Sequence, residues 1–298
     1  MSRLLIVADM EGITGIDRYE QCVRDTDDYR EGVQLLCAEI NVIAEAARSR
    51  GAQSISVIDW HGGGGNIDPQ LLDDDISVVP EDLSTGYDLA MLIGFHPMAG
   101  DDQGFISHTM RQGLAVAVGG QQIGELSLLA WWLGEHGIPI GLISGDRAAT
   151  AEADRFFPET PCHTVKRAES WGRATCIPTE QSYEALRARV SRMMEQTGRW
   201  QTYRPVLPVP FQLKLRDPNP LPGLIPWLRD GENGWLEGEV EHARDLIDLI
   251  DVVSGLINLQ QRNNFIAALK DEPEAAPAME RLRTRQIEEA IQTGHWNP

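Results

Sequence analysis

LLIVADMEGITG, Leu4 to Gly15, runs five apolar residues directly into two carboxylates, Asp9 and Glu11, one residue apart. An unbroken apolar run of this length reads as a strand covered on both faces, as in a parallel sheet, because a half-solvated strand alternates apolar with polar. Charges beside such a strand are costly unless a cation, protein-borne or metallic, compensates them. In open parallel sheets functional groups collect outside the carboxyl ends of the strands, which is where Asp9 and Glu11 fall.

The same texture recurs through the first half of the chain. LLIVA, SISVI, LAMLIGF, LAVAV and IPIGLIS read as strands, and between them lie segments with apolar residues at helical spacing. Asp28–Gly51 is one such segment, stopping at a glycine suited to a C-cap; GELSLLAWWLGEHG ends at Gly137, and DRAATAEADRFF stops before Pro158. The alternation predicts an α/β fold, a largely parallel sheet flanked by helices. After EQSYEALRARVSRMMEQTG, prolines crowd around a strand-like FQLKLR, so a boundary is expected near residue 203. The expected organisation is a catalytic α/β domain over 1–203, a smaller C-terminal α+β unit over 204–262 and a charged helical tail over 263–298.

The 298 residues carry 26 Lys and Arg against 45 Asp and Glu, a formal net charge of −19. That balance argues against a nucleic-acid backbone or an anionic membrane as partner. No apolar run reaches the roughly 18 residues of a membrane span, and the opening apolar run is short for a signal peptide, so the expected location is the cytoplasm. Cys22, Cys37, Cys162 and Cys176 form no CxxC pair, which suggests neither a thiolate zinc site nor a disulfide framework.

Further candidates share the strand-end position. His61 follows the second strand in DWHGGGGN, His96 follows the third in GFHPMAG, and Glu125 opens the helix after LAVAVGGQQI. Each has an ordinary structural explanation taken singly: a helix cap, a loop histidine, a half-buried histidine, a first-turn glutamate favoured by the helix dipole. Separate structural roles do not predict the same sheet edge four times. Two imidazoles and three carboxylates form a nitrogen and oxygen donor set suited to zinc, and five donors exceed the three protein ligands of a simple catalytic site. Two ions are therefore expected, and a carboxylate such as Asp9 can bridge a pair of them. One division puts Glu11 and His96 on one ion and His61 and Glu125 on the other; spacing alone leaves this open. Such a centre suits metal-assisted amide hydrolysis. His108, in the loop GFISHTM, is a candidate proton shuttle or oxyanion donor, with a solvent-facing loop histidine as its plain alternative. Asp146 in SGDRAAT reads equally as a helix N-cap or as support for the site.

DMEGITG, DWHGGGGN, GFHPMAG, ISHTM, GELSLLA and SGDRAAT occur in the order and approximate spacing of the D-aminopeptidase family of dinuclear zinc peptidases, which the chain resembles from its first strand to about Lys166. The resemblance implies removal of an N-terminal D-amino acid, such as D-alanine, from short peptides. It implies two zinc ions held by Asp9 as bridge with Glu11, His96, His61 and Glu125, an active-site histidine at His108, and a homo-oligomer, possibly decameric, with its sites facing an inner channel. Lys166 has a counterpart in the family without an assigned role. DWHGGGG and Leu129 depart from the family pattern, which bears on substrate choice. Two readings compete: a metal-binding protein of the same fold without turnover, and a Mg-dependent haloacid-dehalogenase-like phosphatase, for whose DxDGT opening VADMEGITG is a near miss.

Overall fold

The computed structural model describes residues 2–24, 26–196, 198–215, 225, 228–270 and 277. Seven strands form the main sheet: β1 (Ser2–Ala8), β2 (Ala52–Asp59), β3 (Ile76–Val78), β4 (Leu89–Phe95), then, after an excursion, β7 (Ile140–Asp146), β8 (Cys162–Ser170) and β9 (Arg173–Cys176). Their order is β3-β2-β1-β4-β7-β8-β9, parallel throughout except for the β8–β9 hairpin. Every residue of β4 and of β7 is buried, the burial expected of central parallel strands.

Helix α1 (Tyr29–Arg48) connects β1 to β2 and packs against α4 (Thr179–Glu195). Side chains on a strand alternate between faces. Leu4, Ile6 and Ala8 accordingly join Leu36, Ile40 and Ile43 of α1 and Leu186, Val190 and Met193 of α4 in one apolar cluster. Leu5 and Val7, equally buried, point the other way. Full burial of each Leu or Ile is worth about 1.5–3 kcal/mol, so this layer fixes β1 firmly beneath the loop that begins at Asp9. Helices α2 (Glu125–Glu135) and α3 (Arg147–Phe156) pack against β4 and against β7 and β8 respectively.

The excursion after β4 supplies a second, antiparallel sheet. Its strands are β5 (Leu114–Val118) and β6 (Gln121–Ile123), joined by β10 (Val209–Leu215), β11 (Arg229–Asp230) and β12 (Trp235–Val240) in the order β11-β12-β10-β5-β6. LAVAV thus departs from expectation: it is a strand, but β5 pairs antiparallel with β10 outside the parallel sheet. Half-buried Ala115 and Val118 set it apart from the fully buried central strands of the parallel sheet.

Contacts divide the chain into a compact unit Met1–Ile247 and a second unit Asp248–Pro298. The boundary expected near residue 203 lies within the first of these, where β10 pairs with β5. Helix α5 (Ala243–Lys270) begins in the first unit and continues into the second. The expected helix Met279–Gly294 lies outside the described residues. Among the described residues no helix is long and apolar enough to cross a membrane.

The chain runs outward from β1 through β2 to β3, then returns to place β4 on the other side of β1. The crevice at the carboxyl ends of β1 and β4 is therefore the topological switch point, the position at which open α/β sheets bind ligands.

Candidate active site

Two glycines let the ends of β1 and β4 approach. Gly12 N–H donates to Gly94 O (2.6 Å), and a Cβ on Gly12 would stand 2.2 Å from Phe95 O. Gly94 has φ +75°, and a Cβ there would stand 2.1 Å from Asp9 O. With that approach made, Asp9 and Glu11 from the end of β1, His61 from the end of β2 and His96 from the end of β4 meet in one volume. Glu125 arrives at the head of α2, from the second sheet. His108 returns to the same place because its N–H donates to Pro97 O (3.2 Å). All six sequence-derived candidates are brought together, and Asp9, Glu11, His96 and Glu125 are buried.

The imidazoles are oriented by the main chain. His61 has Nε2 2.9 Å from Cys22 O, His96 has Nδ1 3.0 Å from Pro97 O, and His108 has Nδ1 2.9 Å from Ile106 O. A carbonyl oxygen only accepts, so in each ring that nitrogen carries the proton and the opposite nitrogen faces the site. His61 Nδ1 lies 3.2 Å from Asp9 Oδ1 and 3.0 Å from Glu11 Oε2; His96 Nε2 lies 3.3 Å from Asp9 Oδ2 and 3.2 Å from Glu125 Oε1. Asp9 thus turns one oxygen to each histidine. The nearest donor pairs join His61 to Glu11 and His96 to Glu125, a different sorting from the division that puts Glu11 with His96 and His61 with Glu125. His108 stacks on His96 with ring centroids 3.7 Å apart, its Nε2 4.0 Å from Glu11 Oε1 and 3.9 Å from Glu125 Oε1.

The electrostatics show how much positive charge the carboxylates demand. Burial, reinforced by the charge of Glu11, pushes Asp9 up to about 7. Burial acts the same way on Glu11 and Glu125, but the facing histidines overcome it: Glu11 is held well below the usual carboxylate range by His61 and His96, and Glu125 falls to about 2 through His96. His61 and His96 are raised well above the ordinary imidazole value by those carboxylates, against burial. Burial and the neighbouring His96 lower His108 instead.

Two states satisfy this cluster: imidazoliums whose second protons face the carboxylates, or neutral rings whose lone pairs share cations with them. The geometry around Asp9 Oδ2 and His96 Nε2 fits the second, since both atoms are buried, adjacent and without a hydrogen bond. Ligand atoms about 2.0–2.1 Å from a tetrahedral zinc ion stand about 3.3 Å from one another. The donor pairs here, at 3.0 to 3.3 Å, match that spacing. Asp9, Glu11 and His61 form one group able to hold an ion, Asp9, His96 and Glu125 another, and Glu11, His96 and His108 a third.

A family model described as D-aminopeptidase matches residues 2–220. The chain belongs to the D-aminopeptidase family. It is a peptide hydrolase by that membership, which replaces the phosphatase reading of Asp9. A curated relative, the D-aminopeptidase of Bacillus subtilis (strain 168), is 23% identical over 223 residues, covering 70% of this chain and 81% of its own. Among solved structures, the Zn-dependent D-aminopeptidase DppA from Bacillus subtilis, described as a self-compartmentalizing protease, superposes with a TM-score of 0.78 at 19% identity, over 85% of this chain and 97% of its own. The fold is shared over nearly all of that relative.

Some residues that shape the site had escaped the sequence reading. Trp60 Nε1–H donates to Glu125 Oε2 (2.7 Å), tying the strand-end loop of β2 to the head of α2. Its place beside His61 was the available signal. Asp59 holds the glycine run in place, accepting from the N–H of Ile67 (3.0 Å) and from Asn66 Nδ2 (2.9 Å). Asp146 serves both roles expected of it: Oδ1 caps α3 at Ala149 N (2.7 Å), and Oδ2 accepts from Phe105 N (2.7 Å) in the loop that leads to His108.

Proposed function

We propose that this protein is a zinc aminopeptidase that releases the N-terminal residue, a D-amino acid such as D-alanine, from short peptides, using two zinc ions per subunit. The observation that carries this reading is Asp9, whose two carboxylate oxygens face two different histidines, each paired with a further carboxylate. Asp9 would be shared between the two ions, with Glu11, His61, His96 and Glu125 as the remaining protein ligands. Bound zinc supplies polarisation of the peptide carbonyl and a lowered pKa for water.

The protein's own groups do the rest. The Ile106 carbonyl keeps the proton of His108 on Nδ1, so the Nε2 lone pair faces the site between Glu11 and Glu125. The lowered basicity of His108 keeps that nitrogen unprotonated near neutral pH, ready to take a proton from the attacking water and return it to the departing amine. Trp60 holds Glu125 through Oε2, and Met110 N–H donates to Oε1 (2.6 Å), so this carboxylate cannot swing away during turnover. We further propose a cytoplasmic homo-oligomer, decameric as the family resemblance implies. The description of DppA as self-compartmentalizing and the four free cysteines of this chain support that reading.

Metal analysis and assay of D- and L-aminoacyl dipeptides on one preparation test the proposal. About two zinc ions per chain with D-selective release is the expected result. A metal-free protein that stays inactive when zinc is added would remove the reading. Two zinc ions without release from any peptide would leave the non-enzymatic metal-binding alternative.

A further inference from the structure

Lys166 is 1% exposed, and the Asp146 and Glu39 carboxylates act on its ammonium only from a distance, none within ion-pair reach among the described residues. Its inward position has a local cause. Along β8, Cys162 to Val165 alternate half-buried and buried, which would turn Lys166 to the more open face; instead Val165 and Lys166 are both buried. The β7–β8 register explains this: Gly145 pairs with Thr164 but Asp146 pairs with Lys166, so Val165 is an extra residue. Bulges are uncommon in parallel pairs and concentrate beside active sites, where they re-aim a side chain.

The re-aimed amine reaches two loops at once. Nζ donates to the backbone carbonyl of Glu11 (2.5 Å) and lies 5.0 Å from the centroid of the Phe105 ring. Phe105 is itself fastened, its N–H to Asp146 Oδ2 (2.7 Å) and its carbonyl to Gly172 N (2.7 Å), and it begins the turn into His108. Enclosing an ammonium is destabilising, and an apolar side chain of similar length would fill the space without that penalty. Packing alone therefore does not account for a lysine here.

We propose that Lys166 is a positioning residue of the hydrolytic centre: by holding the Glu11 carbonyl and the Phe105 ring together, it fixes the Glu11 carboxylate and the His108 loop relative to one another. This assignment rests on the reading of the site as a zinc peptidase centre. It predicts that loss of the amine weakens both zinc retention and turnover while leaving substrate affinity nearly unchanged, because Nζ contacts the Glu11 main chain and the Phe105 ring, behind the donor atoms.

Lys166→Met keeps the length and removes the donor; Val190→Ala, a core change on α4, measures what destabilisation alone does. Zinc dissociation constants from chelator competition, and kcat and KM at saturating zinc, are compared for both variants and the wild type. Lys166→Met is expected to bind zinc 10- to 100-fold more weakly, the range for loss of support behind a metal ligand, and to lose at least tenfold in kcat with KM within about twofold. Lys166→Ala supplied with n-propylamine, which restores the missing atoms, is expected to recover zinc affinity and kcat in a concentration-dependent way; this arm decides the matter if Lys166→Met does not fold. Zinc affinity and kcat of Lys166→Met within twofold of Val190→Ala, or failure of the amine to restore Lys166→Ala, would overturn the assignment. A wild type that holds no zinc or releases no amino acid would instead count against the zinc-peptidase reading itself.

Discussion

Glu152 offers a direct test of the electrostatic argument at a carboxyl outside the donor set. Its carboxyl is buried on α3, accepts Met98 N–H at Oε2 (2.7 Å) and leaves Oε1 without a hydrogen bond. Burial pushes it up from 4.5 to about 7. A carboxyl whose folded pKa is raised holds its proton more tightly when folded. Its contribution is therefore fully present below pH 4.5, is lost as pH rises towards 7, and stays lost above that. At about 1.4 kcal/mol per unit, the interval corresponds to a loss of about 3 kcal/mol by pH 8. Glu152→Gln keeps an oxygen for Met98 N–H and has no charge to bury. The metal-free variant should match the wild type near pH 4.5 and exceed it by about 3 kcal/mol at pH 8, a rise of about 6–12 °C in melting temperature for a unit of this size. Urea unfolding of both metal-free proteins at pH 4.5, 6 and 8 measures the difference. Parallel stability profiles, with a constant offset, would refute the claim that an ionised carboxylate is being forced into that site.

Two further predictions concern the centre itself. His108→Ala should keep zinc content near wild type while kcat falls by roughly 10²- to 10⁴-fold, whereas His61→Ala or His96→Ala should lose metal; elemental analysis beside dipeptide kinetics separates them, and full turnover by His108→Ala would end its catalytic assignment. Trp60→Phe removes the donor to Glu125 Oε2 and should weaken zinc binding by about tenfold or more, measured by chelator competition, with the far-UV spectrum unchanged.

Much of this arrangement was legible in the chain because strand ends announce themselves. LLIVA and LAMLIGF are continuous apolar runs, so the residues that follow them, Asp9, Glu11 and His96, had to emerge at the edge of a covered sheet. Glu125 was harder: LAVAV looks like one more parallel strand, and only its antiparallel pairing with β10, far along the chain, shows that Glu125 enters from a second sheet. That pairing also runs across the proline-rich stretch where the composition changes. Proline content records how the backbone bends, not which strands hydrogen-bond across the bend.

What no side-chain pattern could reveal is that main-chain carbonyls orient the three imidazoles. Cys22, Pro97 and Ile106 contribute only oxygen atoms, so their side chains carry no signal of the role. Lys166 escapes for a related reason, since strict alternation along β8 would place it on the other face and only the one-residue bulge turns it inward. The chemical identity of the donors is thus written in the residues, while their protonation and aim are set by backbone geometry. Substitutions that alter loop path, as Gly12→Ala would by driving a methyl group into the Phe95 carbonyl, should therefore damage the centre as severely as removing a donor.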